Sequence, residues 1–344
     1  MSQYLQSEAP FEGRFIGFLY RQWFKHRKPV PEGTSISGQT AVVTGSNSGL
    51  GFEAARQLLQ LGLTHLIMAV RSQARGDAAA NKLRNEFPGA KVWVWLLDME
   101  SYDSIKAFTE RCETLPRLDI VILNAGLRSD KFQLLANTHH EQSFQVNYLS
   151  TALLTILLLP VLKAKRPSSG TLPPRLSLVT SDTSYWAAPF RQAGPILPQM
   201  DEREGFDPMK SYPRSKLLQL FFTAKLAEMV DPDDVIVNAS NPGFCAGTSF
   251  GSDATIPFPA SLFFWLFRNI NGRTVETGAS ALVDAAVTKG KESHGSYVSE
   301  WAIRPFPGTM YTKEGDDMKL RIWEETMEEL NSAGASKIVS DMKR

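Results

Sequence analysis

With two cysteines in 344 residues, Cys112 and Cys245, the chain has too few thiols for a disulfide scaffold. Neither has a Cys or His neighbour at metal-ligand spacing, so both read as structural thiols and no metal is expected. Charge of one sign is also missing. The 37 basic and 36 acidic residues leave a net charge of +1, which gives nucleic acid no basic field to bind. No uninterrupted apolar run approaches the roughly 20 residues of a membrane span. Few thiols and no leader-like segment fit a reducing compartment, and a cytoplasmic location is expected.

What is present suits a protein with a large buried core: 43% hydrophobic and 21% charged residues, enough for one large domain. The most telling stretch is Ala41-Val42-Val43-Thr44-Gly45-Ser46-Asn47-Ser48-Gly49-Leu50-Gly51. An apolar strand enters a turn with three glycines, and Phe52 to Leu59 continues with helical spacing. Glycines let backbone approach an anion closely, and the uncapped N–H groups of a helix start point at it. The spacing is Gly-x-x-x-Gly-x-Gly, distinct from the Gly-x-Gly-x-x-Gly of the standard dinucleotide turn.

Apolar strands then alternate with helical segments. Strands are expected at 66–70, 92–97, 120–123, 176–179, 235–238 and 296–298. Helices are expected at 78–86, 104–112, about 140–162, after Tyr212, and near 320–330. Continuous apolar strands between helices mean a parallel sheet covered on both faces: an α/β, doubly wound, Rossmann-type fold in one domain. Ligands of such sheets sit beyond the carboxyl ends of the strands. Those ends carry the glycine turn, Arg71, Asp98-Met99, Asn124-Ala125-Gly126, Thr180-Ser181 and Asn241-Pro242-Gly243.

Residues 1–37 read as an N-terminal arm and linker, 38–310 as the main domain, and 311–344 as a C-terminal helical extension. In the arm, Phe15 to Tyr20 is apolar and Arg21, Lys25, His26, Arg27 and Lys28 follow. Two readings fit: an arm packed on the domain or on a second copy of the chain, which is favoured, or an interfacial membrane anchor. A bulky insertion at 250–271, with Pro257-Phe258-Pro259 and Leu262 to Phe267, has three readings: a lid or wall over the substrate site, which is favoured, a docking surface for a partner, or a membrane contact.

Tyr212 and Lys216 stand four apart, neighbours on one helix face. Their segment is expected to open the helix after the fifth strand. A lysine ammonium near a tyrosine favours the phenolate, so the hydroxyl can exchange a proton with a carbonyl or alcohol near neutral pH. Ser181, on the same rim, can hold the reacting oxygen, while nearby Ser184 is a less well-placed alternative. Asn147, in an apolar helix, reads either as a core hydrogen-bonder or as the anchor of a water serving Lys216.

With these pieces in order, the chain resembles the short-chain dehydrogenase/reductase family over roughly residues 38–300. It is similar to the longer members, such as retinol dehydrogenases and fungal reductases. The resemblance rests on Thr44 to Gly51, Asp98, Asn124-Ala125-Gly126, Asn147, Ser181, Tyr212 with Lys216, and Pro242-Gly243 followed by Thr248. It implies that Tyr212 is the catalytic acid/base, that Lys216 lowers its pKa and holds the ribose, that Ser181 orients the carbonyl, and that Asn147 supports a proton relay. It further implies that Asp98, with Met99, meets the adenine, that Asn124, Ala125 and Gly126 back the cofactor, and that Pro242, Gly243 and Thr248 hold the nicotinamide end. The gap from Ser181 to Tyr212 is longer than in compact members, which points to a remodelled substrate wall.

Where an NAD site would place a carboxylate on the ribose, this chain has Arg71, with Ser72 and Arg75 beside it and no carboxylate next to it to repel a phosphate. That favours NADP(H). The expected activity is reduction of a ketone or aldehyde on a bulky apolar substrate, and likeness to fungal reductases implies secondary-metabolite tailoring. The alternatives are a membrane-associated retinol- or steroid-like dehydrogenase and a non-redox nucleotide-binding scaffold.

Overall fold

The computed structural model describes residues 1–166, 172–247 and 260–343. Eight strands form one sheet in the order β3-β2-β1-β4-β5-β6-β7-β8. They are β1 (Thr40–Thr44), β2 (His65–Val70), β3 (Lys91–Leu96), β4 (Ile120–Leu123), β5 (Arg175–Val179), β6 (Ile236–Asn241), β7 (Tyr297–Ser299) and β8 (Ala302–Arg304). The first seven run parallel, and β8 pairs antiparallel with β7. Strands β1 and β4 are neighbours, so strand order reverses between them and opens the crevice above β1. This is the α/β doubly wound Rossmann-type fold that the alternation predicts.

The helices are α1 (Ala9–Glu12), α2 (Phe15–Phe24), α3 (Gly49–Gln60), α4 (Gln73–Glu86), α5 (Tyr102–Glu113) and α6 (Gln142–Phe144). They continue with α7 (Ser150–Ala164), α8 (Pro208–Ala227), α9 (Ala260–Asn271), α10 (Val275–Val283), α11 (Lys313–Glu329) and α12 (Ala335–Met342). One core lies between the sheet and α5, α7 and α8, built on Leu123, Leu153, Leu178 and Phe221. A second, with Val43, Leu58, Met68 and Leu282, packs α3, α4 and α10 on the other face. Buried strands on both faces explain their unbroken apolar sequence.

A π-turn at Gln145–Leu149 joins α6 to α7 in one helical run, Gln142–Ala164, long and apolar enough to cross a membrane. That differs from the sequence reading, because the run is interrupted by polar residues. It is mostly buried in the fold and serves as the central core helix.

Helix α8 begins at Pro208, one turn before Tyr212, rather than at the Tyr-Pro pair. Asp207 caps it by accepting from Met209 N at 2.9 Å, and Pro208 takes the first-turn position where no N–H is needed.

The arm is joined to the domain by polar groups. Ser2 N donates to Ser296 Oγ (3.2 Å), Tyr297 N to Ser2 Oγ (2.8 Å), and Gln22 Nε2 to Phe244 O and Asn271 O (3.0 and 2.7 Å). The Arg21 side chain, 1% exposed, pairs with Glu12, with Asp182 (3.4 Å) and with Glu300 (3.7 Å). Arg273 and Arg304 complete a buried cluster of three arginines and three carboxylates. Burial pushes the Arg21 guanidinium down, but Asp182 and Glu300 outweigh it and keep the group charged. Glu300 and Trp301 form the β7–β8 turn with φ of 49° and 57°, a left-handed conformation that non-glycine residues hold only under constraint.

At the C-terminal end, His140 bridges Asp201 (Nδ1, 2.7 Å) and Glu329 of α11 (Nε2, 3.1 Å). Burial pushes its pKa down, yet hydrogen bonds to the two carboxylates win and raise it to about 9. A raised folded pKa means this stabilisation is complete below the unfolded value near 6.5 and disappears as pH rises through about 9. Thermal unfolding of wild type and His140→Gln checks this: a wild-type advantage of up to about 3 kcal/mol at pH 6 should shrink steadily to pH 9.

Candidate active site

The glycine turn is built as its spacing requires. Gly45 and Gly49 have φ of 65° and 56°. A side chain at Gly51 would lie 2.5 Å from both Gly45 O and Asn124 Nδ2. Ser48 starts α3 without a side-chain cap, which leaves the first N–H groups of the helix, from Gly49, Leu50 and Gly51, directed at the crevice. The Ser46 hydroxyl is fully buried and has no partner among the described residues. An orphan hydroxyl, uncapped helix N–H groups and glycine-only backbone fit a diphosphate. Asn47 and Ser48 line the same turn, whereas the Leu50 side chain packs toward the second core.

Asn124 ties the next rim segment to this turn, its Nδ2 donating to Thr44 O (3.0 Å) and Gly45 O (3.4 Å). Ala125 N donates to Thr44 Oγ1 at 2.9 Å. A side chain at Gly126 would meet Asn147 Oδ1 at 3.1 Å and Lys216 Nζ at 3.6 Å, so the three lie together. Asp98 caps its own turn by accepting from Glu100 N. Met99 is buried, with its carbonyl taken by Ser150 Oγ. Gly243, at φ 76°, lies against Arg273 Nη1, and Thr248 falls outside the described residues, as does 250–259 of the expected lid.

Arg71 ends β2 on the rim with its side chain largely in solvent, and its Nη1 is 3.0 Å from Glu100 Oε1. The sequence reading put no carboxylate beside this arginine, but the fold brings one from the turn after β3. An exposed pair of this kind is worth at most about 1 kcal/mol, so a phosphate can replace it readily.

At the catalytic rim, Ser181 caps the turn that follows β5, its Oγ accepting from Thr183 N (3.2 Å), and is hydrogen-bonded to the Tyr212 hydroxyl. Lys216 Nζ donates to Val179 O at 2.8 Å and lies 5.7 Å from the Tyr212 ring centre. Burial pushes Tyr212 up to about 12, opposed by the Ser181 hydrogen bond and the charge of Arg128. Burial also pushes Lys216 down to about 7. Lys216, brought to about 7 by burial, stands between its charged and neutral forms at neutral pH. Tyr212 is a neutral phenol at physiological pH.

Asn147 sits in the π-turn. Its Oδ1 accepts from Leu127 N (2.9 Å), its Nδ2 donates to Leu127 O (2.8 Å) and Ser215 Oγ (3.1 Å), and its carbonyl accepts from Gln219 Nε2 (2.7 Å). It clamps the segment after Gly126 to α8. Three contributors escaped sequence reading: Arg128, Ser215 and Gln219. Ser215 and Gln219 stand three and seven residues after Tyr212 on α8, a spacing that marks the same helix side. Arg128 gives no comparable signal.

Fold and rim together are those of an oxidoreductase that binds a nicotinamide dinucleotide, with Ser181, Tyr212 and Lys216 side by side. The profile described as short chain dehydrogenase matches residues 39–172. The short chain dehydrogenase virL of Hypocrea virens is 52% identical over 346 aligned positions, covering 100% of both chains. The short chain dehydrogenase/reductase mfmJ of Annulohypoxylon moriforme is 45% identical over 98% of this chain and 97% of its own. The chain belongs to the short-chain dehydrogenase/reductase family and is an oxidoreductase acting on CH-OH/C=O groups. Among solved structures, a putative NAD(P)-dependent gluconate 5-dehydrogenase from Beutenbergia cavernae with bound NADP has a TM-score of 0.59 at 19% identity, covering 78% of this chain and 96% of that one. A short-chain dehydrogenase from Sphingobium yanoikuyae in complex with NADPH has a TM-score of 0.54 at 22% identity, covering 76% and 87%. These two likenesses establish the fold.

Proposed function

We propose that this chain is a cytoplasmic NADPH-dependent carbonyl reductase, acting on a ketone or aldehyde of a bulky apolar substrate in fungal secondary metabolism. The observation that carries the proposal is the rim itself, with Tyr212 hydrogen-bonded to Ser181 and standing over Lys216 beside a diphosphate cradle. The relatives in Hypocrea and Annulohypoxylon support the fungal setting, and the NADP-bound neighbours support the cofactor.

Bound NADPH supplies the hydride. The chain's own groups do the rest. Gly45 to Gly51 hold the diphosphate, and Arg71 pairs with a 2′-phosphate. Ser181 positions the carbonyl oxygen, and Tyr212, protonated at neutral pH, gives it a proton. A proton on Lys216 Nζ offsets the charge left on the Tyr212 oxygen.

Screening carbonyl compounds for loss of nicotinamide absorbance tests the activity. If no member of the panel consumes NADPH, the reading is overturned. For the cofactor, Arg71→Ala should weaken NADPH binding about 10- to 100-fold, the worth of a charge-assisted contact, and leave NADH within about threefold. Equal loss for both cofactors removes Arg71 from the phosphate site.

A further inference from the structure

Helix α2 is inside out for a helix in water. It turns Arg21 and Gln22 into the protein beside Gly17 and Phe18 and leaves Phe15, Ile16, Tyr20, Trp23 and Phe24 exposed, Ile16 and Phe24 at 61% and 62%. A helix at a protein surface ordinarily does the reverse. The buried ion cluster around Arg21 locks this orientation, so the aromatic side cannot roll inward.

Helix α9 lies beside it. Phe15 stacks on Phe267 with ring centres 6.2 Å apart, and Trp23 Nε1 donates to Asn271 Oδ1 at 2.9 Å. Leu262, Trp265, Leu266 and Ile270 form one stripe along α9 and are also exposed, Trp265 at 58% and Ile270 at 69%. Ten of the large apolar side chains that the described residues leave exposed belong to these two helices and the adjoining Phe11. A contiguous patch of this kind marks an interaction surface.

The rim of the patch is basic. Arg14 precedes α2, and Lys25, His26, Arg27 and Lys28 follow it directly. Arg27 pairs with Glu276 at the surface, while Arg14, Lys25 and Lys28 make no ion pair among the described residues. With a whole-chain charge of only +1, this is a local concentration rather than a general field.

We propose that the joined outer faces of α2 and α9 dock on an anionic phospholipid membrane, lying in its interface. Aromatic and aliphatic side chains over a lysine- and arginine-rich edge are the chemistry of an interfacial helix. The helices cannot span: ten and twelve residues reach about 15 and 18 Å, against about 30 Å of hydrocarbon. A second copy of the chain fits less well, because the face it would present carries the same basic residues, whereas anionic headgroups complement them. Beneath the patch, buried Phe18 and half-buried Phe267 pack on Phe244, next to Gly243 of the rim. The proposal rests on the surface alone and stands whether or not the catalytic reading holds.

Flotation of the full chain with vesicles tests it. Protein should float with phosphatidylcholine–phosphatidylserine vesicles, weakly with phosphatidylcholine alone, and less as salt is raised. Ile16→Ser/Phe24→Ser/Trp265→Ser and, separately, Lys25→Gln/Lys28→Gln should each lower affinity roughly tenfold or more while unfolding temperature holds, since all five side chains face solvent or lie at the edge. Three results overturn the proposal: no flotation with anionic vesicles, flotation unaffected by both variants, or a concentration-dependent dimer in sedimentation velocity that the apolar variant dissolves without any vesicle binding.

Discussion

Tyr212→Phe should lower kcat for carbonyl reduction by about 10²- to 10⁴-fold, the usual worth of a positioned proton donor, with NADPH affinity within about threefold of wild type. The hydroxyl is the only atom removed. The ring stays packed over Lys216, and Ser181 keeps its hydrogen bonds with Thr183. Steady-state kinetics with NADPH titration separates the two quantities. A kcat within threefold of wild type removes Tyr212 from the chemistry.

Arg21→Met should destabilise the protein by about 3–5 kcal/mol, lowering the unfolding midpoint on the order of 5 °C or more. The cost comes from what is left behind. Glu12, Asp182 and Glu300 would remain buried against two arginines in place of three. Asp182 adjoins Ser181, and its Oδ1 also accepts from Asn241 Nδ2 (2.6 Å) and Tyr297 hydroxyl (2.8 Å). Release of the arm should therefore disturb the catalytic rim as well as the β7–β8 turn that Glu300 begins. Differential scanning calorimetry gives the answer, and a midpoint within 1 °C of wild type contradicts a structural role for the cluster.

The sheet was legible because its central strands are buried on both faces, so runs such as Leu66 to Val70 and Ile120 to Leu123 stand out from the helices between them. The cradle was legible for the same local reason: Gly45, Gly49 and Gly51 answer to backbone geometry within seven residues. The start of α8 was not, because its Asp207-Pro208 signal lies in a polar stretch that reads as loop. Long-range electrostatics stayed hidden altogether. Nothing beside Arg71 announces Glu100, and nothing in the arm shows that Arg21 will be buried against Asp182 while Phe24 stays in water. The lowered pKa of Lys216 belongs to the same class, since it comes from tertiary burial. Strand β8 was missed because three residues with two in a left-handed turn before them carry no alternation to read.

The central claim is that this chain moves a hydride between NADPH and a carbonyl carbon, with Tyr212 supplying the proton. Incubation of wild type with NADPH deuterated at the transferable C4 position and a panel of aliphatic, aromatic and polycyclic ketones and aldehydes tests it, with mass spectrometry of the products. The account predicts an alcohol carrying one deuterium on its carbinol carbon, and its loss from the Tyr212→Phe reaction. Deuterated alcohol formed equally by both proteins, or none formed by wild type from any class, would contradict it.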